Sequence, residues 1–162
     1  LPDALPIWLD EAEDWYRQSL TISEELADRP GAASSYHQLG VVAQDRGRLD
    51  EAEDWYRESL TIKEELGNRP GMATTYSRLG RLAEERGQPR VAIEWNIRCV
   101  SMFDQLPSPM TGTAPTALAR LTRQLGRRAL EQAWQQVTGQ PVPQAVCDYV
   151  ASHHDETPGG EA

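Results

Sequence analysis

Apolar positions in the first hundred residues return every three or four places, the spacing of one face of an α-helix. In Leu9–Leu26, Ala12, Tyr16, Ser19 and Ser23 follow that spacing, flanked by Leu20 and Leu26. Asp10, Glu11, Glu13 and Asp14 crowd the first turn, where the helix dipole favours negative charge. Asp28-Arg-Pro-Gly31 ends the element, because proline disfavours helix at the residue before it and suits the first turn of the next. A second helix is predicted over Gly31–Arg46, with Tyr36, Leu39, Val42 and Ala43 as its inner stripe and Gly47 at the left-handed stop. Leu49–Leu66 and Gly71–Arg86 repeat these two helices, with breaks at Gly67-Asn-Arg-Pro70 and Gly87. Further helices are expected from Pro89 to about Leu106, over Pro115–Leu125, over Arg127–Thr138 and near Gln144–Ser152. No period-two alternation appears, so no strand is expected.

The same pattern is written twice at a spacing of forty residues. Leu9-Asp-Glu-Ala-Glu-Asp-Trp-Tyr-Arg17 returns as Leu49–Arg57, and over Leu9–Gly31 against Leu49–Gly71 only four of 23 positions differ. They are Gln18/Glu58, Ser23/Lys63, Ala27/Gly67 and Asp28/Asn68. Such a period implies stacked helical units that each touch their neighbours, an architecture that presents a surface and seldom a catalytic pocket.

Tyr36-x-x-Leu39-Gly40-x-x-Ala43 followed by Ala52-x-x-x-Tyr56 and Ser59 resembles the tetratricopeptide repeat. Tyr76-x-x-Leu79-Gly80-x-x-Ala83 and Ala92 carry the pattern on, with Asn96 where the aromatic belongs, and the first copy keeps only Ala12, Tyr16 and Ser19. The forty-residue period exceeds the family's usual thirty-four and is similar to the longer-helix subclass of kinesin light chains, spindle-orientation adaptors and many bacterial regulators. The resemblance implies an all-α fold: a right-handed α-solenoid of antiparallel helix pairs with a helical C-terminal cap. Residues 8–106 would be repeats (half repeat 8–29, repeat 30–69, degenerate repeat 70–106), 107–152 the cap and 153–162 a disordered tail. Without a leading helix in its first copy, the chain reads as the C-terminal end of a longer array. Residues 1–7, Leu-Pro-Asp-Ala-Leu-Pro-Ile, match nothing in the repeat and read as a non-native leader from a contig edge.

Charge narrows the partners. The net charge is −9, and residues 1–70 hold all of that imbalance with 16 acids to 7 bases. An acidic surface repels phosphates, so nucleic acid is not an expected partner. The acids read as the solvated faces of helices. No apolar run approaches the ~18 residues of a membrane span, and no signal peptide is visible. Cys99 and Cys147 fit buried thiols in a reducing compartment, so a cytoplasmic location is expected. Fifteen arginines against Lys63 alone suit a GC-rich bacterial genome.

In the family, the leading helix of each repeat lines a concave groove that takes peptides or helices. On matching positions the lining is Ser34, His37, Gln38, Val41, Gln44 and Asp45, then Thr74, Ser77, Arg78, Arg81, Glu84 and Glu85. Arg78 and Arg81 form a basic spot suited to a carboxylate. A chaperone-tail clamp would need Asn and Lys where Val41 and Ser77 stand. Trp15, Trp55 and Trp95, in register, are expected to pack between successive trailing helices. Arg120, Arg123, Arg127 and Arg128 suggest a contact with the acidic segments Asp10–Asp14 or Asp50–Asp54, and self-association through the exposed N-terminal repeat end is a further expectation. Nothing catalytic converges. His153 and His154 beside Asp155 and Glu156 sit in the tail without further ligands, Cys99 has no histidine in register, and there is no phosphate loop. No enzyme activity, cofactor or metal is expected. The role implied is a protein–protein interaction scaffold within a larger regulator. The alternative is a peptide- or ligand-sensing domain of a bacterial signalling ATPase or transcription regulator.

Overall fold

The computed structural model describes residues 4–102 and 112–153. All regular structure among them is helical: α1 (Ala4–Glu25), α2 (Arg29–Asp45), α3 (Leu49–Glu65), α4 (Arg69–Glu85), α5 (Pro89–Ser101), α6 (Thr113–Leu125), α7 (Arg127–Thr138) and α8 (Gln144–Ser152). The all-α expectation therefore holds. Two compact units are distinguished, Leu1–Leu82 and Ala83–Ala162.

In the first unit α2 packs on α1 and on α3. Only three residues separate these helices, so each pair runs antiparallel. The joints are one device used repeatedly. Ala27 N–H bonds the Glu24 carbonyl (3.1 Å) and Asp28 N–H the Ser23 carbonyl (2.7 Å), which is a Schellman motif. Gly47, Gly67 and Gly87 head the same paired bonds at intervals of twenty residues. All four turn residues have positive φ, from 54° at Ala27 to 71° at Gly47. Ala27 is thus an L-residue in a place that its own repeat fills with Gly67. Ala27→Gly is expected to raise stability by about 1 kcal/mol and Gly67→Ala to lower it by a similar amount, read from urea midpoints.

Helices α2 and α4 start two residues earlier than the proline positions suggest. Asp28 accepts from Gly31 N–H (3.0 Å) and Asn68 Oδ1 from Gly71 N–H (3.0 Å), so Arg29-Pro30 and Arg69-Pro70 are already helical. Helix α1 also begins early, at Ala4, taking in part of the segment read as a leader. The segments 103–111 and 154–162, which include the expected Pro107–Pro109 loop and most of the tail, lie outside the described residues.

Tyr56 is the keystone of the first unit. It is fully buried beside Ala52, and its ring lies where a side chain on Gly40 would stand: a Cβ there would meet Tyr56 Cδ1 and Cε1 at 2.6 Å. Its hydroxyl donates to Gln44 Oε1 at 2.8 Å. Ser59 Oγ donates to the Ala33 carbonyl (2.7 Å), and Ala32, Ala33 and Ile62 close a small core against Leu20 and Tyr36. The tyrosine at the head of the motif tethers its helix to the one before, Tyr36 to Glu24 (2.9 Å) and Tyr76 to Glu64 (3.1 Å).

The acids are not all solvated. Glu13 accepts from Arg17 (2.7 Å) and Arg48 (2.6 Å) and lies 3.4 Å from Arg46, which also pairs with Asp10; Arg48 in turn reaches Glu51 (2.7 Å). Charge that looked like a helix surface is therefore a clasp between α1 and the α2–α3 joint. Burial raises the Glu13 pKa, but hydrogen bonds from Arg17 and Arg48 outweigh it and hold the carboxyl below its ordinary value. A lowered native pKa contributes stability above the ordinary carboxylate range, and that contribution is lost as pH falls through the lowered value. Glu13→Gln is expected to cost about 1–3 kcal/mol at pH 7, and the gap to the wild type should narrow in urea titrations repeated at progressively more acid pH below the ordinary carboxylate range.

In the second unit α5 packs on α6 and α7, and α6 on α7 and α8. Ile93, Ile97, Leu118, Leu121, Leu130, Trp134 and Val146 are its buried core. Gly126, at φ 88°, ends α6 and starts α7 without a loop. Asn96 is buried where the motif wants an aromatic, and its Nδ2 donates to the Ala92 carbonyl (2.8 Å), so the polar group is satisfied inside its own helix. Arg120 pairs with Glu84 at 2.5 Å and Arg127 with Glu131 at 2.9 Å. Two of the four cap arginines thus have carboxylates within their own unit.

Candidate groove on the first unit

The leading helices α2 and α4 are neighbours across the first unit: Thr75 Oγ1 of α4 lies 3.3 Å from His37 Nδ1 of α2. That contact places two rows of the expected lining side by side. From α2, Ser34, Gln38 and Asp45 are exposed, while His37 and Val41 are half-buried. From α4, Thr74 and Arg81 are exposed, and Ser77 and Arg78 are half-buried. Ser34 and Thr74 turn their hydroxyls back onto the carbonyls of Pro30 (3.1 Å) and Pro70 (3.0 Å). Glu84 and Glu85 continue α4 into the second unit, where Glu84 holds Arg120.

Gln44 departs from the expectation. It is buried, with its carboxamide oxygen engaged by the Tyr56 hydroxyl, and so belongs to the core and not to the lining. Gln44 stands four residues after Gly40, so it shares the α2 face that meets Tyr56, and its register is that of the core contact and not of the lining.

Below His37 and Thr75 lies a group that the lining pattern did not include. Lys63, from the trailing helix α3, is 7% exposed, and its Nζ donates to Thr75 Oγ1 at 2.9 Å. Thr75 in turn donates to the Gly71 carbonyl (3.0 Å). Burial drops the Lys63 pKa to about 8. His37 falls to about 4, first through burial and then through the positive charges of Lys63 and Arg78. At neutral pH the cluster is therefore a mostly charged ammonium under a neutral imidazole that packs on the Tyr56 ring at 5.4 Å between centroids. The signal was present in the sequence: Lys63 is one of the four departures between copies and the sole lysine in the chain.

The tryptophans correct another expectation. Trp15 is 69% exposed and is not packed between trailing helices. Trp55 stacks on Tyr36 (centroids 5.6 Å apart), donates to Glu51 (3.2 Å) and is covered by the Arg17 guanidinium at 5.7 Å. Arg17 thus ties α1 to α3 both through Glu51 at 3.4 Å and as a cation over the Trp55 ring. Trp95 carries Arg98 in the same way, at 5.4 Å. A shallow depression of about 460 Å³ over α3 is lined by Glu51, Asp54, Trp55, Arg57 and Glu58, away from the α2–α4 face. Among the described residues no group of three or more His, Cys, Asp or Glu could hold a metal, and no helix is long and apolar enough to cross a membrane. Cys99 is buried, and burial pushes its thiol up to about 11.

Comparison with known proteins agrees with this architecture. The family model described as "Tetratricopeptide repeat" matches residues 9–65 and 38–105. No curated protein matches the chain significantly. Among solved structures, BtubC (BKLC) from P. vanneervenii superposes with a TM-score of 0.60 at 20% identity, over 95% of this chain and 61% of that one. At that identity the likeness shows the fold alone, and the present chain spans less than two thirds of that protein's length.

Proposed function

The chain belongs to the tetratricopeptide repeat family, and on that footing we propose that it is a non-enzymatic, cytoplasmic protein–protein interaction scaffold, one region of a larger regulatory protein. The α2–α4 face of the first unit takes a peptide or helix of the partner. The observation that carries this reading is the pairing of that face with a fixed frame. Gln38, Val41, Ser77, Arg78 and Arg81 stand at the surface on two helices whose other sides are held by the Gly40–Tyr56 contact and the tyrosine tethers. A groove held rigid in advance lowers the ordering cost of binding. Arg78 and Arg81 add forked donors suited to carboxylates.

The test is affinity capture with the wild-type chain and with Arg78/Arg81→Glu, with folding of both checked by circular dichroism. Loss of specific partners in the variant is expected, and recovery of the same proteins by both would overturn the reading. The sensing alternative differs in the consequence of binding: a relay to an adjoining nucleotide-hydrolysing or DNA-binding module.

A second surface supports self-association. Trp8, Trp15, Ile22 and Leu26 stand 55–73% exposed along one side of α1 and its end, although Ile62, the repeat equivalent of Ile22, is buried. Unpaired apolar stripes of this kind are characteristic of interfaces. A concentration-dependent rise in mass by light scattering, abolished by Ile22→Asp, is the expected result; a monomer at every concentration would exclude such an interface.

A further inference from the structure

Lys63 is an anomaly of charge. The surrounding segment is strongly acidic, and Arg17, Arg29, Arg46, Arg48 and Arg57 each hold a carboxylate. Lys63 holds none: its ammonium meets the Thr75 hydroxyl, which leaves two of its three N–H donors without a protein partner among the described residues. A buried ammonium bonded only to a neutral hydroxyl is costly, and proteins rarely keep one without a counter-charge. The preceding copy has Ser23 at this position, also buried, so the stack folds without the ammonium. Among the described residues no carboxylate offsets the burial of Lys63, which alone lowers its pKa. His37 arrives from α2, and Thr75 and Arg78 from α4, and the charges acting on His37 are those of Lys63 and Arg78.

We propose that Lys63, Arg78, Thr75 and His37 form a carboxylate-binding site at the floor of the α2–α4 groove, filled by an acidic side chain of the docked peptide. This site presupposes the groove and specifies the chemistry of its occupant. The ammonium meets Thr75, which lies 3.3 Å from His37 of the other leading helix, so it sits where the α2 and α4 lining rows adjoin, and a carboxylate on a side-chain stem is the group that would approach it from a docked peptide. The two free N–H donors of Lys63 and the Arg78 guanidinium then supply the charge-assisted bonds that the protein itself leaves unmade. The bound anion supplies the missing counter-charge.

Because Lys63 is the sole lysine, a protein labelled with ¹³C-lysine gives one ε-carbon signal that reports this site alone. The probe is an acetylated, amidated hexapeptide of alternating Ala and Glu. Its controls are the Ala/Gln counterpart, a neutral hexapeptide with a free C-terminal carboxylate, and inorganic phosphate. The free protein should titrate at about 8, and saturation with the Glu peptide should raise the proton affinity of Lys63 about tenfold or more, without response to the Gln peptide. Lys63→Ser, which copies the sister repeat, should fold as the wild type does and bind the Glu peptide at least about tenfold more weakly. A signal moved only by the free C-terminus, or only by phosphate, would overturn the assignment to an acidic side chain. A signal moved by none of the four would overturn the site. Partner capture lost in Arg78/Arg81→Glu but retained in Lys63→Ser leaves the groove reading standing and removes this one.

Discussion

Tyr56→Ala is expected to destabilise the first unit by about 3–5 kcal/mol, the range for deleting a fully buried aromatic ring. The ring packs directly on Gly40 beside Ala52, and neither of these residues has a side chain that could occupy the space it leaves. Tyr56→Phe separates packing from hydrogen bonding. It keeps the ring, takes from Gln44 Oε1 the phenolic donor at 2.8 Å and should cost about 1–3 kcal/mol. Gly40→Ala attacks the same contact from the other side. The added Cβ would overlap the ring at 2.6 Å, and the ring cannot rotate away inside a closed core, so a penalty of about 1–3 kcal/mol is expected. The decisive measurement is the double-mutant cycle by urea unfolding. Once the ring is gone the clash is gone, and alanine is then favoured over glycine within a helix by about 0.5–1 kcal/mol. Gly40→Ala should therefore change sign on the Tyr56→Ala background. Costs that simply add would show that the two positions do not constrain each other.

This contact was legible in the sequence because two independent registers, Tyr36-x-x-Leu39-Gly40 and Ala52-x-x-x-Tyr56, specify a small residue facing a large one. The helix ends were legible for a similar reason: Gly47, Gly67 and Gly87 mark backbone positions that a side chain strains. Ala27 obeys the same turn without the glycine, and only the repeat reveals it. The early starts of α2 and α4 were harder to read, since the proline rule points to the residue after the joint while the Asp28 and Asn68 caps draw the preceding arginine into the helix. What the pattern could not convey is where long polar side chains end. Glu13 reads as solvated yet clasps Arg46 and Arg48 from the next joint. Lys63 stands on the inner stripe with Ala52, Tyr56 and Ser59, yet the spacing does not tell that its ammonium ends on the Thr75 hydroxyl of α4. Periodicity fixes the direction of Cβ, and for side chains of about four or five atoms the remaining path is decided by partners distant in sequence.

The tryptophans show the same limit from the apolar side, and they yield a second large prediction. Trp15, Trp55 and Trp95 attract notice by their register, whereas Trp134 lies outside any repeat, in the middle of α7. Burial reverses that ranking: Trp134 is 3% exposed and Trp15 is 69% exposed. Helix α7 packs on α5 and α6, and its inner face is Leu130, Ala133 and Trp134, a short stripe in which one indole supplies most of the apolar area. Trp134→Ala should accordingly cost the second unit about 3–5 kcal/mol, because neither Leu130 nor Ala133 is large enough to fill the space. Trp15→Ala removes the same side chain from a position where water already covers it, so stability should move by no more than about 0.5 kcal/mol. Tryptophan emission adds a readout specific to each. The indole lost in Trp134→Ala should take with it the blue-shifted part of the native spectrum, and the one lost in Trp15→Ala the red-shifted part. Equal urea midpoints for the two variants would mean that α7 does not seal the core of the second unit. The stability of that unit would then have to come from the α5–α6 contact and the Leu118/Leu121 face alone.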